Sequence, residues 1–427
     1  MTIVLIIFGL LFTFVFLGFP VAFSIGFTTL ASLLYRGTPL TIMVQRMVNG
    51  LDSFPFLAIP LFILAGNLMN QAGITDKIFA FALSLVGHIR GSLAHVNVVA
   101  SIIFAGISGV AQADAAGLGV IEIRAMEKAG YDKAFSAAVT ATSSIIGPII
   151  PPSVIMAVFS VIAGISLGKL FVAGFIPGLI MGFSQMFLIY IMATTGRIKG
   201  EVYHRPPIKQ ILKHFLDALP AIIMPIILVV AMIVGAATPT ELGSICVVYA
   251  ILLSFLYRTF SFKMLFEVFC ETTQMVGILV FVISVAFPFS WLIATYNVPS
   301  LLIHILEPFK QNQWQILLIM NLILLFLGMF METTAILLIM VPLLFPLATS
   351  IGINEIHFGL IVIINLLIGA VTPPFGMCLY IVTDIAKIPF VKVVKETIPF
   401  LIPLLFTLFL VTYWPQMVLF LPKLLFK

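Results

Sequence analysis

Apolar residues in this chain run in long blocks interrupted by short polar or small-residue clusters. The blocks Ile3–Leu34, Phe54–Met69, Ala134–Ile149, Leu170–Ala193, Leu216–Ala237, Leu242–Leu256, Ile316–Met331 and Ile356–Val371 meet or approach the roughly 20 residues that a spanning helix needs. The pattern predicts an all-α polytopic membrane protein with no soluble domain left over. The first run, Ile3–Phe19, lacks a basic n-region and a small-residue cleavage site, so it is expected to be a retained first helix and not a secretory leader.

Two kinds of interruption stand out. After an amphipathic stretch (Asp76–Arg90, and again Ser300–Phe309), an apolar run reaches a small or polar cluster and then resumes. The clusters are Gly106-Ile107-Ser108-Gly109-Val110-Ala111-Gln112-Ala113-Asp114 and Gly328-Met329-Phe330-Met331-Glu332-Thr333-Thr334. The flanks Val96–Ala105 and Ala115–Ile123 are each about half a membrane thickness at about 1.5 Å per helical residue. That spacing predicts re-entrant hairpins, whose tips are tolerable at membrane depth only against protein or a polar cavity. Further on come Gly147-Pro148-Ile149-Ile150-Pro151-Pro152-Ser153 and Gly369-Ala370-Val371-Thr372-Pro373-Pro374. Proline lacks an N–H and clashes with the preceding turn, so each Pro-Pro should interrupt a helix and free carbonyls upstream.

These interruptions repeat in register. Gly106, Gly130, Gly147, Pro151-Pro152 and Ile176-Pro177 recur at Gly328, Gly352, Gly369, Pro373-Pro374 and Ile398-Pro399, a constant offset (328−106 = 369−147 = 222), and Leu34-Tyr35-Arg36 recurs at Leu256-Tyr257-Arg258. Duplicated halves with breakers at matching positions point to a transporter whose site lies where the halves meet. The expected organisation is two inverted repeats. The first covers residues 1–195 (hairpin about 96–125, broken helix about 134–165), followed by a basic linker at 196–215. The second covers 216–427 (hairpin about 316–350, broken helix about 356–386).

Composition narrows the class. Of 427 residues 62% are hydrophobic and only 9% charged, against about a quarter charged in soluble proteins. The net charge of +5 sits in connecting loops and bears on orientation, not on nucleic acid. The densest basic loop, Arg197–His214, is placed in the cytoplasm, although an inverted duplication puts Arg36 and Arg258 on opposite faces, so that one defies the bias. Cys246, Cys270 and Cys378 lie far apart in apolar sequence and read as packing residues. The 40 phenylalanines read mainly as lipid-facing surface. No GxxxxGK[ST] occurs, so the chain carries no ATPase of its own.

The candidate chemistry is a set of backbone and hydroxyl oxygens with a few acids. Freed carbonyls at the breaks are hard oxygen ligands for a small cation, while half-helix N-termini offer positive dipole ends to an anion; the alternative for each break is a plain kink. Ser143, Ser144 and Ser153 flank the first break and Asn365 opens the second. All four are candidate substrate contacts, though a serine there can simply bond its own helix. Asp114 and Glu332 are the acids at membrane depth, where a charge must be paired, solvated or functional; Asp114 is alternatively an N-cap of the returning half-helix. Arg124, Glu127, Lys128, Asp132 and Lys133 read as a solvated loop. A remote alternative is an intramembrane serine protease, since Gly106-Ile107-Ser108-Gly109 matches the GxSG motif of rhomboids, but that chemistry needs a deep histidine base. His88, His95, His204, His214, His304 and His357 all lie in loops or near segment ends.

The runs Phe104-Ala105-Gly106-Ile107-Ser108-Gly109, Ala113-Asp114-Ala115-Ala116-Gly117, Gly147–Ser153, Gly328–Met331 and Pro373-Pro374-Phe375-Gly376 together resemble the large membrane subunit of TRAP transporters, the tripartite ATP-independent periplasmic systems. The resemblance implies a sodium-driven importer of organic anions in the bacterial inner membrane. It also implies a small membrane subunit of about four helices, here as a separate chain, a periplasmic substrate-binding protein, and an elevator motion of hairpins and broken helices against a scaffold. Carried onto this sequence, it places one sodium site at carbonyls around Ser108, Gly109, Gly147, Ile150 and Pro151. A second falls at Gly328, Thr333, Gly369 and Thr372 with Glu332 alongside, and Gln112 and Asp114 face the substrate. The Ala-Asp-Ala-Ala-Gly tip and the stretch from Gly119 to Gly130 look most like the sialic acid branch, with C4-dicarboxylate as runner-up. Sodium coupling agrees with the residues themselves, which supply carbonyls and hydroxyls and not chains of titratable groups. A passive channel or a scaffold subunit is the competing class.

Overall fold

A computed structural model of the chain describes residues 2–52, 54–298 and 312–426. Within them the protein is helical and has no strand. The predicted amphipathic stretch Ser300–Phe309 and His304 lie outside the described residues.

The first block divides at Leu17–Pro20 into α1 (Thr2–Phe16) and α2 (Val21–Arg36), which ends at Gly37 with φ 68°. There follow α3 (Thr41–Leu51), a 3-10 turn at Phe54–Leu57, α4 (Ala58–Gln71) and α5 (Ile74–Val86). Next come the hairpin helices α6 (Ser92–Ser108) and α7 (Ala111–Lys128), then α8 (Lys133–Ser144), the break, α9 (Val154–Ala163) and α10 (Leu167–Thr194). The second half holds α11 (Ile208–Val234), α12 (Pro239–Leu256), α13 (Phe262–Thr295), α14 (Gln313–Gly328), α15 (Thr333–Ser350) and α16 (Glu355–Gly369). It ends with α17 (Met377–Ala386), α18 (Phe390–Tyr413) and α19 (Pro415–Leu425). Six of the described helices are long and apolar enough to cross a membrane, or seven when α8 and α9, bent 44° at their break, count as one span.

The 222-residue register extends to the helix starts. Helices α7 and α15 open at Ala111 and Thr333, and α8 and α16 at Lys133 and Glu355 (333−111 = 355−133 = 222). Their caps match as well. The Asp132 carboxylate accepts from the N–H groups of Ala134 and Phe135 at 2.8 and 3.0 Å, and the Asn354 side chain from Ile356 and His357 at 3.0 and 3.3 Å. Asp132 is therefore a helix cap rather than a member of a free loop. The register fails at α19, whose counterpart 193–203 runs past the end of α10 at Thr194, and at α13. The single helix α13, 34 residues long, corresponds to α3, the 3-10 turn and α4 in the first half. Pro55, with no N–H to give, stands in that turn where the second half has Gly277 inside a continuous helix.

Packing between the halves is reciprocal. The returning hairpin helix of each half lies against the post-break helix of the other, α7 on α17 and α15 on α9. Likewise α2 packs on α13 and α4 on α12, and α8 on α18 and α10 on α16. The first hairpin tip and the first break are buried, and in the second break Pro374 and Phe375 are exposed; α11, α12 and α13 leave Ile226, Val230, Val248, Leu252 and Phe266 exposed, the surface expected to meet lipid.

Candidate functional site

The first hairpin turns in two residues. Ser108 ends α6, Gly109 adopts φ 64° and Val110 is extended (φ −135°, ψ 117°) before α7 begins. Gly109 is required there on two counts: its φ is positive, and a Cβ would run into the Pro152 carbonyl and stand 3.1 Å from Ser153 Cα. The Gly109 carbonyl accepts from the Val154 N–H at 3.2 Å, which ties the tip to the first turn beyond the break. In the second half the Met329 carbonyl accepts from the Phe375 N–H at 3.3 Å, a tie of the same kind. Both Pro-Pro bonds, Pro151-Pro152 and Pro373-Pro374, are cis.

Between the two tips lies a cavity of about 670 Å³. Its wall includes first-turn residues of five helices: Val21 of α2, Ala111 and Gln112 of α7, Val154 and Ile155 of α9, Thr333 and Thr334 of α15, and Met377 of α17. One side is closed by α13 through Met275, Ile278, Leu279, Phe281 and Val282. Two of the five N-termini are occupied by side-chain caps, Ser153 accepting from the Met156 N–H at 3.2 Å and Glu332 from the Ala335 N–H at 2.9 Å. Helices α2, α7 and α17 carry no side-chain cap. In α17 backbone takes up the first turn, the Cys378 N–H donating to the Ala370 carbonyl at 3.1 Å and the Leu379 N–H to the Gly376 carbonyl at 2.8 Å, so α2 and α7 are the helices whose first N–H groups and dipole ends stand open to an anion. Among the described residues lining the cavity, Glu332 is the one that is charged, and none is a lysine or arginine.

The predicted residues divide into those gathered at this cavity and those held elsewhere. Gln112, Gly109, Glu332 and Thr333 line it. Asp114 sits one turn behind, 1% exposed. One of its carboxylate oxygens receives the Ser108 hydroxyl, and the other has no hydrogen-bond partner among the described residues and lies against Gly147, where a Cβ would collide with it. Asp114 does not cap α7, whose N-cap is Val110; in the second hairpin the acid does cap, since Glu332 precedes α15. A Cβ on Gly106 would stand 3.6 Å from the Pro151 carbonyl, and the Ile150 side chain packs against Gly178 of α10. In the second half Gly328 and Gly369 meet backbone to backbone, and the Thr372 hydroxyl donates to the Ile368 carbonyl at 2.6 Å.

Ser143, Ser144 and Asn365 do not line the cavity. The Ser143 hydroxyl donates to the Asn97 side chain at 2.7 Å, Ser144 donates to the Ala141 carbonyl at 2.8 Å, and the Asn365 amide donates to the Asn321 side chain at 2.7 Å. The Ser153 hydroxyl donates to the Pro148 carbonyl at 2.5 Å besides capping α9. Sequence reasoning missed the walls from α2 and α13, which carry no polar signal. Ser108 is not paired with a histidine: His95 and His357 are buried in the first turns of α6 and α16, where they bond the Arg90 and Val411 carbonyls at 3.1 and 2.7 Å. A protease base is therefore not assembled from either of them.

The family model of the DctM component of the tripartite ATP-independent periplasmic transporters matches residues 8–417. The chain is 41% identical to the sialic acid TRAP transporter large permease protein SiaM of Vibrio cholerae, over 96% of both chains. It is 34% identical to the C4-dicarboxylate TRAP transporter large permease protein DctM of Pseudomonas aeruginosa, over 94% of both. Its fold is similar to the crystal structure of the Alcanivorax borkumensis YdaH transporter, with a TM-score of 0.66 at 12% identity over 88% of each chain. With near full-length agreement added to paired tips, paired breaks and a shared cavity, the chain belongs to the DctM family of TRAP transporter membrane components and is a transport protein, not an enzyme.

Proposed function

We propose that this protein imports a small organic anion by sodium-coupled secondary transport, with a sialic acid-type carboxylate favoured and C4-dicarboxylates next. The observation that carries this reading is the convergence of five helix N-termini, three of them without a side-chain cap, on a cavity lined by no lysine or arginine among the described residues. A carboxylate fits such a site because backbone N–H groups and dipole ends supply the positive potential. The uncapped first turn of α7, with the Gln112 amide beside it, is its seat. The substrate preference draws on the relatives, which include permeases named for sialic acid.

Sodium would be held at the two tip-and-break knots, one around Ser108, Gly109, Gly147, Ile150 and Pro151, the other around Gly328, Glu332, Thr333, Gly369 and Thr372. The free Asp114 oxygen stands beside the first knot. Hard oxygen donors of this sort suit a small cation. The expected assembly sits in the bacterial inner membrane with a small membrane subunit and a periplasmic binding protein. The repeats would be inverted, and hairpins with broken helices would move as one block past a scaffold. Uptake of labelled sialic acid into proteoliposomes holding the reconstituted complex tests the reading. It should need the binding protein, saturate, and fall at least about tenfold when potassium replaces sodium. Equal uptake in potassium would overturn the coupling, and unsaturable flux without the binding protein would make the chain a passive channel.

A further inference from the structure

Helix α7 carries a second buried acid that neither the cavity nor the tip-and-break knots use. Glu122 lies eight residues beyond Asp114 on the buried stripe of α7, with Ala115, Leu118, Gly119, Ile123 and Met126, about 12 Å further along the axis. It is 1% exposed, and neither carboxylate oxygen has a hydrogen-bond partner among the described residues.

Neighbouring polar groups are already engaged. On the flanking helices α6 and α8, Asn97 donates to the Thr140 hydroxyl at 2.7 Å and Ser101 to the Ser143 hydroxyl at 3.0 Å. The titratable and charged groups on the elements packed against α7 are His95 on α6, Lys133 on α8, Cys378, Tyr380 and Asp384 on α17, and Asp76 and Lys77 on α5, with Tyr380 exposed and stacked on the Phe390 ring at 4.5 Å. Lys133 pairs with Glu127 at 2.6 Å, the Lys387 that follows α17 pairs with Asp384 at 2.8 Å, and Lys77 stands over the Tyr257 ring at 3.4 Å. On α7 itself Arg124, Glu127 and Lys128 are exposed. Glu122 therefore has no counter-ion among the described residues, and its nearest like charge in sequence on the stripe is Asp114.

A bare carboxylate in that setting is strongly disfavoured. Two monovalent cations could neutralise it, a proton or a metal ion. A hard metal ion needs several oxygen ligands, whereas among the described residues neither oxygen of Glu122 has a hydrogen-bond partner and no group of three or more His, Cys, Asp or Glu side chains is placed to hold a metal. We propose that Glu122 is a proton-binding site, occupied at neutral pH, built into the returning helix of the first hairpin and distinct from the sodium and substrate sites. Its neutral form is the one that the packed interface of α7 with α8 and α17 accommodates. Transport is then retained at neutral pH and lost as rising pH strips the proton and leaves an anion on that interface.

Infrared difference spectra of the purified full-length protein in liposomes, taken between about pH 7 and about pH 10, read the proton directly and need no substrate. The wild type should show a protonated-carboxyl band at the lower pH that shifts when glutamate is labelled with ¹³C at its carboxyl carbon, and Glu122→Gln should lack it. In the reconstituted complex, Glu122→Gln should keep uptake within about twofold at neutral pH and flatten an alkaline loss of about fivefold or more seen in the wild type. The isotope shift in wild type serves if the variant does not fold. No glutamate-derived band, a band unchanged in Glu122→Gln, or a carboxylate signal that responds to sodium in place of protons would each overturn the proposal.

Discussion

Asp114 and Glu332 sit in matching hairpins and have different partners. Glu332 caps α15 through the Ala335 N–H, so Glu332→Ala should lower stability by about 0.5–2 kcal/mol, read as a fall in the thermal midpoint of the purified protein; an unchanged midpoint would show that the cap is dispensable. Asp114 bonds the Ser108 hydroxyl and abuts Gly147. Asp114→Asn keeps its volume and removes its charge, so uptake should fall at least about a hundredfold while the complex still assembles; loss of assembly would make its role structural. Asp114 was legible in the sequence because an acid amid Ala and Gly in an apolar run is conspicuous. Glu122 was not, because Arg124, Glu127 and Lys128 follow it and make the stretch look solvated, whereas only the fold shows that of these four charged positions 122 is the one turned inward. Ser143 and Asn365 looked like site residues for the opposite reason. Position in sequence set them near a break, yet both bond a neighbouring helix, Ser143 to Asn97 of α6 and Asn365 to Asn321 of α14.

Breaks dominate the behaviour of the helices. Gly369 faces Gly328 so closely that a Cβ on Gly369 would stand 2.6 Å from Gly328 Cα, with backbone on both sides and nothing flexible to yield. Gly369→Ala should therefore destabilise by about 1–3 kcal/mol or more through overpacking. Gly277, in the continuous helix α13, has nothing within 4 Å of an added Cβ, and Gly277→Ala should stabilise by about 0.5–1 kcal/mol through helix propensity. Paired thermal midpoints check both signs at once. The breaks were readable from Gly and Pro, whose backbone effects are local. Helix α13 was not singled out, because Glu267, Glu271, Thr272, Thr273 and Gln274 interrupt its apolar run and a helix of 34 residues reaches well beyond one membrane thickness. The apolar cavity wall that it supplies left no mark in the sequence.

At the scale of the molecule, the two halves are joined by the segment between α10 and α11, which is pinned by bonds from the Glu201 N–H to the Ala129 carbonyl at 3.3 Å and from the Tyr203 N–H to the Gly87 carbonyl at 3.1 Å. Contacts between halves far exceed what this tether provides, so the two halves, cut within 204–207 and expressed together, should co-purify through a tag on either one; failure to do so would show that the covalent link is needed for assembly. The duplication was legible as a constant offset, but the crosswise packing was not, since no local pattern says which helix covers which. That packing, α7 against α17 and α15 against α9, has a consequence for how the protein is made. The stripe of α7 bearing Asp114 and Glu122 gains its α17 cover only after Ala386 has been added, 258 residues beyond Lys128 (386−128 = 258), and at about 5–20 residues per second the ribosome takes about 13–50 s to get there. Through that interval the newborn first half holds two acids on an unfinished face, so its survival depends on whatever shelters a half-built membrane protein until its other half arrives.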